Sequence, residues 1–179
     1  PGGENALRLQ HSLDVVAQSW GIPRQSLSVV GDRYMAFYFA IMGSVSWADS
    51  KATAIKFSPI EKKEILAIIE GLDPGIERIE YGLGLDGLIT DPRQDEPLAI
   101  FQLRNGETGI TQESLPHGTL IIDATSALPT DLQKFDLGTL PWCAVVLDAT
   151  SWGGPRGVYY LAINSSYRWN NPFPTLNAS

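Results

Sequence analysis

Three runs constrain this chain more than any other feature: "LAIFQL" at 98–103, "TLIID" at 119–123 and "CAVVLD" at 143–148. Side chains alternate across a strand, so an extended run that is apolar at successive residues has two faces to bury. Strands of that kind belong to parallel sheets covered on both sides. The remaining segments fit around them. Leu9, Leu13, Val16 and Trp20 recur at helical spacing, and "GIP" at 21 ends that helix. "SLSVV" at 26–30 reads as a strand meeting Gly31, after which Tyr34, Phe37, Tyr38, Ile41 and Val45 follow a helical period. "ATAIKF" at 52–57 is a further strand; Ser58, Pro59 and Glu61 then fit the N-cap, N1 and N3 positions of a capping box leading into "KKEILAIIEGL". "GIERIEYGL" alternates as a strand does. "GVYYLAI" leaves no room for a crossover helix after Ser151, which predicts antiparallel pairing with a neighbour. The fold class is therefore α/β, a mostly parallel sheet whose strands are separated by helices lying on both faces. No linker divides it: residues 1–163 read as one domain, followed by a tail at 164–179 rich in Asn, Pro and aromatics, a peripheral arm.

Composition narrows the function classes. With 44% hydrophobic and 18% charged residues, the chain is a globular domain with no apolar run long enough to span a bilayer. A net charge of -7 argues against a nucleic-acid surface, which needs clustered Lys and Arg. Cys143 stands alone and makes no internal disulfide; "PGGENALRLQ" lacks the basic start and apolar stretch of a signal peptide. A cytoplasmic location is the expectation, so the sequons "NSS" at 164 and "NAS" at 177 are read as chance matches.

In open α/β sheets, ligands sit outside the carboxyl ends of the strands. The residues there are Gly31, Asp32 and Arg33; Ser58, Glu61 and Lys62; Asn105, Gly106 and Glu107; Asp123 to Ser126; and Asp148 to Ser151. The letters DATS occur twice, at 123–126 and 148–151, and their identity reads as coincidence. Each aspartate has two readings, as a site residue or as the cap of the next turn. A metal held by both would need further ligands, and the chain has two histidines, His11 and His117, so none is expected. Asp32 before a helix matches the helix dipole, while Arg33 keeps an anion site open. Lys62, in the first turns of a helix, reads as solvated. Cys143 reads as a buried structural thiol. The stripe of Tyr34, Phe37, Tyr38 and Phe39 is wider than one buried face needs, and a subunit contact is one explanation for the excess.

Several segments together resemble a known family. "NGETGITQ" at 105–112 is similar to the NNETGxxQ loop of cysteine desulfurases, "IIDATSALPTDL" to their VDAxQxxGKxPxDL segment, and "GGPRGVYYL" to their GPKGxGxLY run. "ALRLQHSLDVVAQSWGIPRQSLSVVGDRYMAFYFAIMG" resembles the helix, turn and helix that open the same large domain, and "FSPIEKKEIL" their TSxxEHxAVL segment. The order is conserved from Ala6 to Leu161, with a shortened loop between Gln112 and Thr119. This resemblance implies the large domain of a pyridoxal-phosphate (PLP) transferase of the class V aminotransferase and cysteine desulfurase group. It also implies dimers with sites at the subunit interface.

The departures from that pattern carry as much information. Aligned with the family's SxHKxxGPKG, this chain reads from Asp148 to Gly157, and the Schiff-base lysine position holds Ser151. A hydroxyl forms no imine. By the same alignment Lys62 replaces the histidine that stacks on the cofactor ring, Arg33 the hydroxyl residue of the phosphate cradle, and Gly106 the asparagine facing the ring's phenolic oxygen. Asp123, the family's partner for the pyridine nitrogen, is retained, and Ser126 stands where glutamine is usual. The implied cofactor-binding set is Asp123, Ser126, Arg33, Lys62, Asn105 and Thr150, with no catalytic residue and PLP not covalently bound, or not bound at all. The family's persulfide cysteine belongs to a C-terminal domain that this chain does not reach. Three functions remain open. One is a non-catalytic binding or scaffold protein, with a homodimer or another protein as partner. A second is a transferase holding its ligand non-covalently through Asp123, Ser126 and Arg33, or completed by a partner chain. The third is a folded relic.

Overall fold

The computed structural model describes residues 2–46, 53–90, 98–131 and 134–173. Its strands are β1 (Leu27–Val30), β2 (Ala54–Phe57), β3 (Glu77–Glu80), β4 (Gly82–Leu83), β5 (Ile89–Thr90), β6 (Leu98–Gln102), β7 (Thr119–Ala124), β8 (Trp142–Asp148) and β9 (Tyr159–Ile163). The helices are α1 (Gly2–Trp20), α2 (Arg33–Val45) and α3 (Lys63–Glu70). Seven strands form one sheet in the order β1-β9-β8-β7-β6-β2-β3, and β4 and β5 pair separately. Within the large sheet β9 runs antiparallel to both β1 and β8, as the short connection after Ser151 requires, while the other pairings are parallel.

The continuous apolar runs become the central strands because both faces are covered. Ile100, Ile121 and Val146 point to the layer built from Phe37 and Ile41 of α2 and Ile65 and Ile68 of α3. Phe101, Ile122 and Val145 point the other way, to Leu13, Val16, Ala17 and Trp20 of α1. Sealing a side chain of this size from water stabilises the fold by about 1.5–3 kcal/mol. The α/β class and the two-sided cover are as the sequence predicts.

Three local expectations are corrected. Ser58 and Glu61 do not form a capping box: the Glu61 amide donates to the Ser58 carbonyl (3.1 Å), which closes a turn, and α3 begins at Lys63. Ser and Pro in succession suit the first two positions of a β-turn as well as a helix start, so the letters fit both. Leu9 is 49% exposed rather than packed, and the buried face of α1 begins at Leu13. Among the described residues, no α-helix joins β6 to β7 or β7 to β8. The first connection folds back on itself through the Arg104–Thr111 bridge. The second sends Phe135 and Leu137 into the α1-side core in place of a helix.

Residues of the tail lie along α2. Asn170 donates from its amide to the Gly43 carbonyl (3.0 Å) and from Nδ2 to the Ser46 carbonyl (2.7 Å), taking up acceptors that a helix end leaves open. Trp169 Nε1 donates to the Phe39 carbonyl (3.0 Å), and its ring lies where a Cβ on Gly43 would be, 1.9 Å from Nε1. Phe173 meets Phe39 edge-on at 5.1 Å and Tyr38 at 6.0 Å. Much of the wide aromatic stripe is thus covered by its own chain, leaving Tyr34 exposed. Asn164, the first sequon asparagine, donates to the Trp142 carbonyl (2.9 Å); the second, Asn177, lies outside the described residues. No described helix is long and apolar enough to cross a membrane.

Candidate functional site

A cavity of about 850 Å³ opens at the carboxyl ends of the parallel strands. Arg33 reaches it from the start of α2, Glu61, Lys62 and Glu64 from the turn after β2 and the start of α3, Gln102 and Asn105 from the end of β6, and Ser126 from the turn after β7. Sheet topology alone brings these together from four stretches of sequence.

Asp123 lies beneath, fully buried. Its Oδ1 accepts from the Thr125 amide (2.9 Å) and the Thr125 hydroxyl (2.7 Å), which is the capping use of an aspartate at a strand end. Its Oδ2 accepts from Lys62 Nζ at 2.5 Å and more distantly from Gln102 Nε2 at 3.4 Å. Lys62 is therefore not solvated: its side chain is 16% exposed, and its ammonium serves a carboxylate that has no access to water. A buried carboxylate requires such compensation, and this overrides the preference of a helix-start lysine for solvent.

The second DATS segment repeats the turn. Asp148 Oδ1 accepts from the Thr150 amide (2.8 Å) and the Thr150 hydroxyl (2.7 Å), so the repeated letters do the same work at both strand ends. Thr150 itself is exposed and lies outside the cavity lining. The Ser151 hydroxyl donates to the Thr125 carbonyl, tying the end of β8 to the turn after β7.

The other predicted residues are also engaged. Arg33 donates from Nε to Glu64 Oε1 at 3.1 Å, with Nη2 bonded to the same oxygen. Partial burial works against the guanidinium charge, and the Glu64 carboxylate outweighs it, so the Arg33 pKa lies above its ordinary value. Asp32 is the N-cap of α2, accepting from the Met35 amide (2.9 Å). Asn105 is buried and organises its own loop: Oδ1 accepts from the Glu107 and Thr108 amides, and Nδ2 donates to Gln102 Oε1 at 2.9 Å. Ser126 faces Gly106 so closely that a Cβ there would come within 2.6 Å of its Oγ. Cys143 is buried beside Ser44, 3.4 Å from its hydroxyl, and desolvation raises its pKa to about 11.

Glu61 was not anticipated in the role it has. Burial, reinforced by the Asp123 charge, raises its pKa from 4.5 to about 8, with the Lys62 ammonium and the Ser58 amide pulling more weakly the other way. Neither carboxyl oxygen meets a protein group in hydrogen-bonding geometry. A glutamate in "SPIEKKE" carries no sequence signal of burial, because the turn that folds it inward looks like a helix start. Gln102 and Glu64, the partners of Asn105 and Arg33, were likewise missed, although Gln102 is marked as the polar residue closing an apolar run.

No protein-family model and no curated protein matches this sequence. Solved structures do. A NifS-like protein superposes with a TM-score of 0.78 at 18% identity, covering 94% of this chain and 50% of that one. DndA from Streptomyces lividans gives 0.76 at 21% identity, covering 97% and 53%. The apo cysteine desulfurase from Thermococcus onnurineus NA1 gives 0.70 at 14% identity, covering 88% and 42%. The chain has the fold of the cysteine desulfurase large domain, as the resemblance implies, and spans about half the length of these structures.

Proposed function

We propose that this chain is a non-catalytic binding or scaffold protein built on the desulfurase large-domain fold, in which the groups that would hold the cofactor are paired with one another around a retained cavity. The observation that carries this reading is the Lys62–Asp123 pair: a lysine ammonium holds the carboxylate that the family offers to the cofactor's protonated ring nitrogen. Bringing PLP to Asp123 would displace Lys62 and leave one cation less for two buried acids, Asp123 and Glu61. Two further observations support it. The Ser151 hydroxyl, at the Schiff-base lysine position, is bonded to the Thr125 carbonyl, and Arg33, at the phosphate cradle, is committed to Glu64. The residues present do not fit covalently held PLP. A homodimer is the partner that the resemblance favours, and light scattering on the pure protein checks it.

The experiment is to add PLP, record the visible spectrum, reduce with borohydride and weigh the protein. No band and no stoichiometric adduct is the expected result; one adduct per chain on a single lysine, with a visible band, overturns the reading. The retained cavity favours one alternative, an enzyme holding its ligand non-covalently. That reading requires measurable desulfurase or aminotransferase turnover, lost on Asp123→Ala.

A further inference from the structure

The charged groups around the cavity are not equally committed. Arg33 is paired with Glu64 and Lys62 with Asp123. Lys63 and Glu107 are exposed residues of the lining. Glu61 is the exception: a buried acid in the cavity lining, 5% exposed, both of whose oxygens lack a protein partner. Leaving a buried polar group unsatisfied is costly, and folded proteins do so rarely. Only the Ser58 amide acts on this carboxyl from the backbone, and weakly, so its acceptor positions are open to a donor that arrives through the cavity. An anion is a poor candidate for that partner, because both cations of the inner wall already hold carboxylates.

We infer that the cavity is a binding site for a small organic ammonium ion, whose N–H groups donate to the Glu61 carboxylate. This deepens the reading of the chain as a binding protein and rests on it. The ligand supplies the two things Glu61 lacks, a donor and a compensating charge, and Gln102, Asn105 and Ser126 line the same wall with neutral polar groups. Binding ionises Glu61 against the neighbouring Asp123 carboxylate, with Lys62 the nearest compensating cation and the Arg33–Glu64 pair on the adjoining helix starts. The acid is protonated at neutral pH, so association releases its proton to the buffer.

The test is calorimetry of the full chain with cadaverine at pH 7, in two buffers of different ionisation enthalpy. The expected result is saturable binding with about one proton released per cadaverine held at Glu61. Glu61→Gln, which keeps the shape of the protonated acid, is expected to weaken binding roughly 10- to 100-fold and to abolish the proton release. Glu77→Gln, at an exposed position of β3 outside the lining, leaves both unchanged. Tetraethylammonium, which brings the charge without an N–H donor, is expected to bind more weakly than cadaverine. Wild-type protein that binds no cadaverine, or a Glu61→Gln variant that binds it with unchanged Kd and proton count, overturns the inference. A PLP adduct would instead remove the non-catalytic reading and leave the calorimetry to be judged by itself.

Discussion

Replacing Lys62 by Met tests the central electrostatic claim. The substitution keeps the length and most of the volume of the side chain, so the packing along α3 survives and the ammonium alone is lost. What remains is a fully buried aspartate whose Oδ1 keeps both Thr125 donors, while Oδ2 is left with Gln102 at 3.4 Å. Removing one partner of a buried pair costs roughly 3–5 kcal/mol when the other charge is stranded. The two retained bonds on Oδ1 put the expectation at the lower end, about 3 kcal/mol. For a chain of this size each kcal/mol shifts Tm by roughly 2–4 °C, which predicts a drop of about 6–12 °C. Urea denaturation followed by circular dichroism gives the free energy directly, and the m-value should not change. Lys62→Met/Asp123→Asn completes the test: with both charges gone, most of the loss is recovered, because Asn still accepts the Thr125 bonds. A Lys62→Met variant within 0.5 kcal/mol of wild type would refute the argument, since about that much is typical of a surface lysine.

Glu61 makes a second prediction through pH. Its folded pKa is raised, so the native state keeps a proton that the unfolded chain releases above 4.5, and wild-type stability falls as pH rises from there to about 8. Glu61→Gln removes that slope, and the variant gains on wild type by a few kcal/mol between pH 5 and pH 8; parallel urea curves across the window would sink the idea. Gly43→Ala drives a Cβ into the Trp169 ring and is expected to cost about 1–3 kcal/mol and to expose the tail to protease. Unchanged stability and cleavage would mean that the tail does not bind α2 in solution. Ser151→Lys alone is expected to give no borohydride-fixed PLP adduct, because Lys62 still holds Asp123, whereas Ser151→Lys combined with Lys62→His gives one; mass spectrometry decides between them.

The sheet was legible because its signal is local. Ile100, Phe101, Ile121 and Ile122 are apolar in succession, and a sheet covered on both faces buries both sides of them. The nature of the cover was not legible. Phe135 and Leu137 do from a turn-rich segment what a crossover helix was expected to do, and two apolar residues at such spacing carry no period. At the site, the positions were legible and the partnerships were not. Asp123 was identified at its strand end, but its partner is sixty-one residues away in sequence, and a lysine in a helix start looks the same whether it meets water or a buried carboxylate. Asp148 and Asp123 cap identical turns, so the local letters described both correctly and gave no hint that only one is fully buried.

The position of β1 has a consequence for how the molecule is made. Among the described strands its one neighbour in the sheet is β9, with Leu27 opposite Ala162 and Val30 opposite Tyr159. On a ribosome that adds about 5–20 residues each second, β1 waits with unpaired amides until nearly all of the described residues after it have been made. The block β3-β2-β6-β7-β8 has no such delay, because the pairings within it are complete before β9 is made and do not involve β1. Among the described strands the order of assembly is thus inverted relative to the order of synthesis: β1, made before the other eight, is among the last to dock, and the antiparallel strand β9 is the latch that admits it.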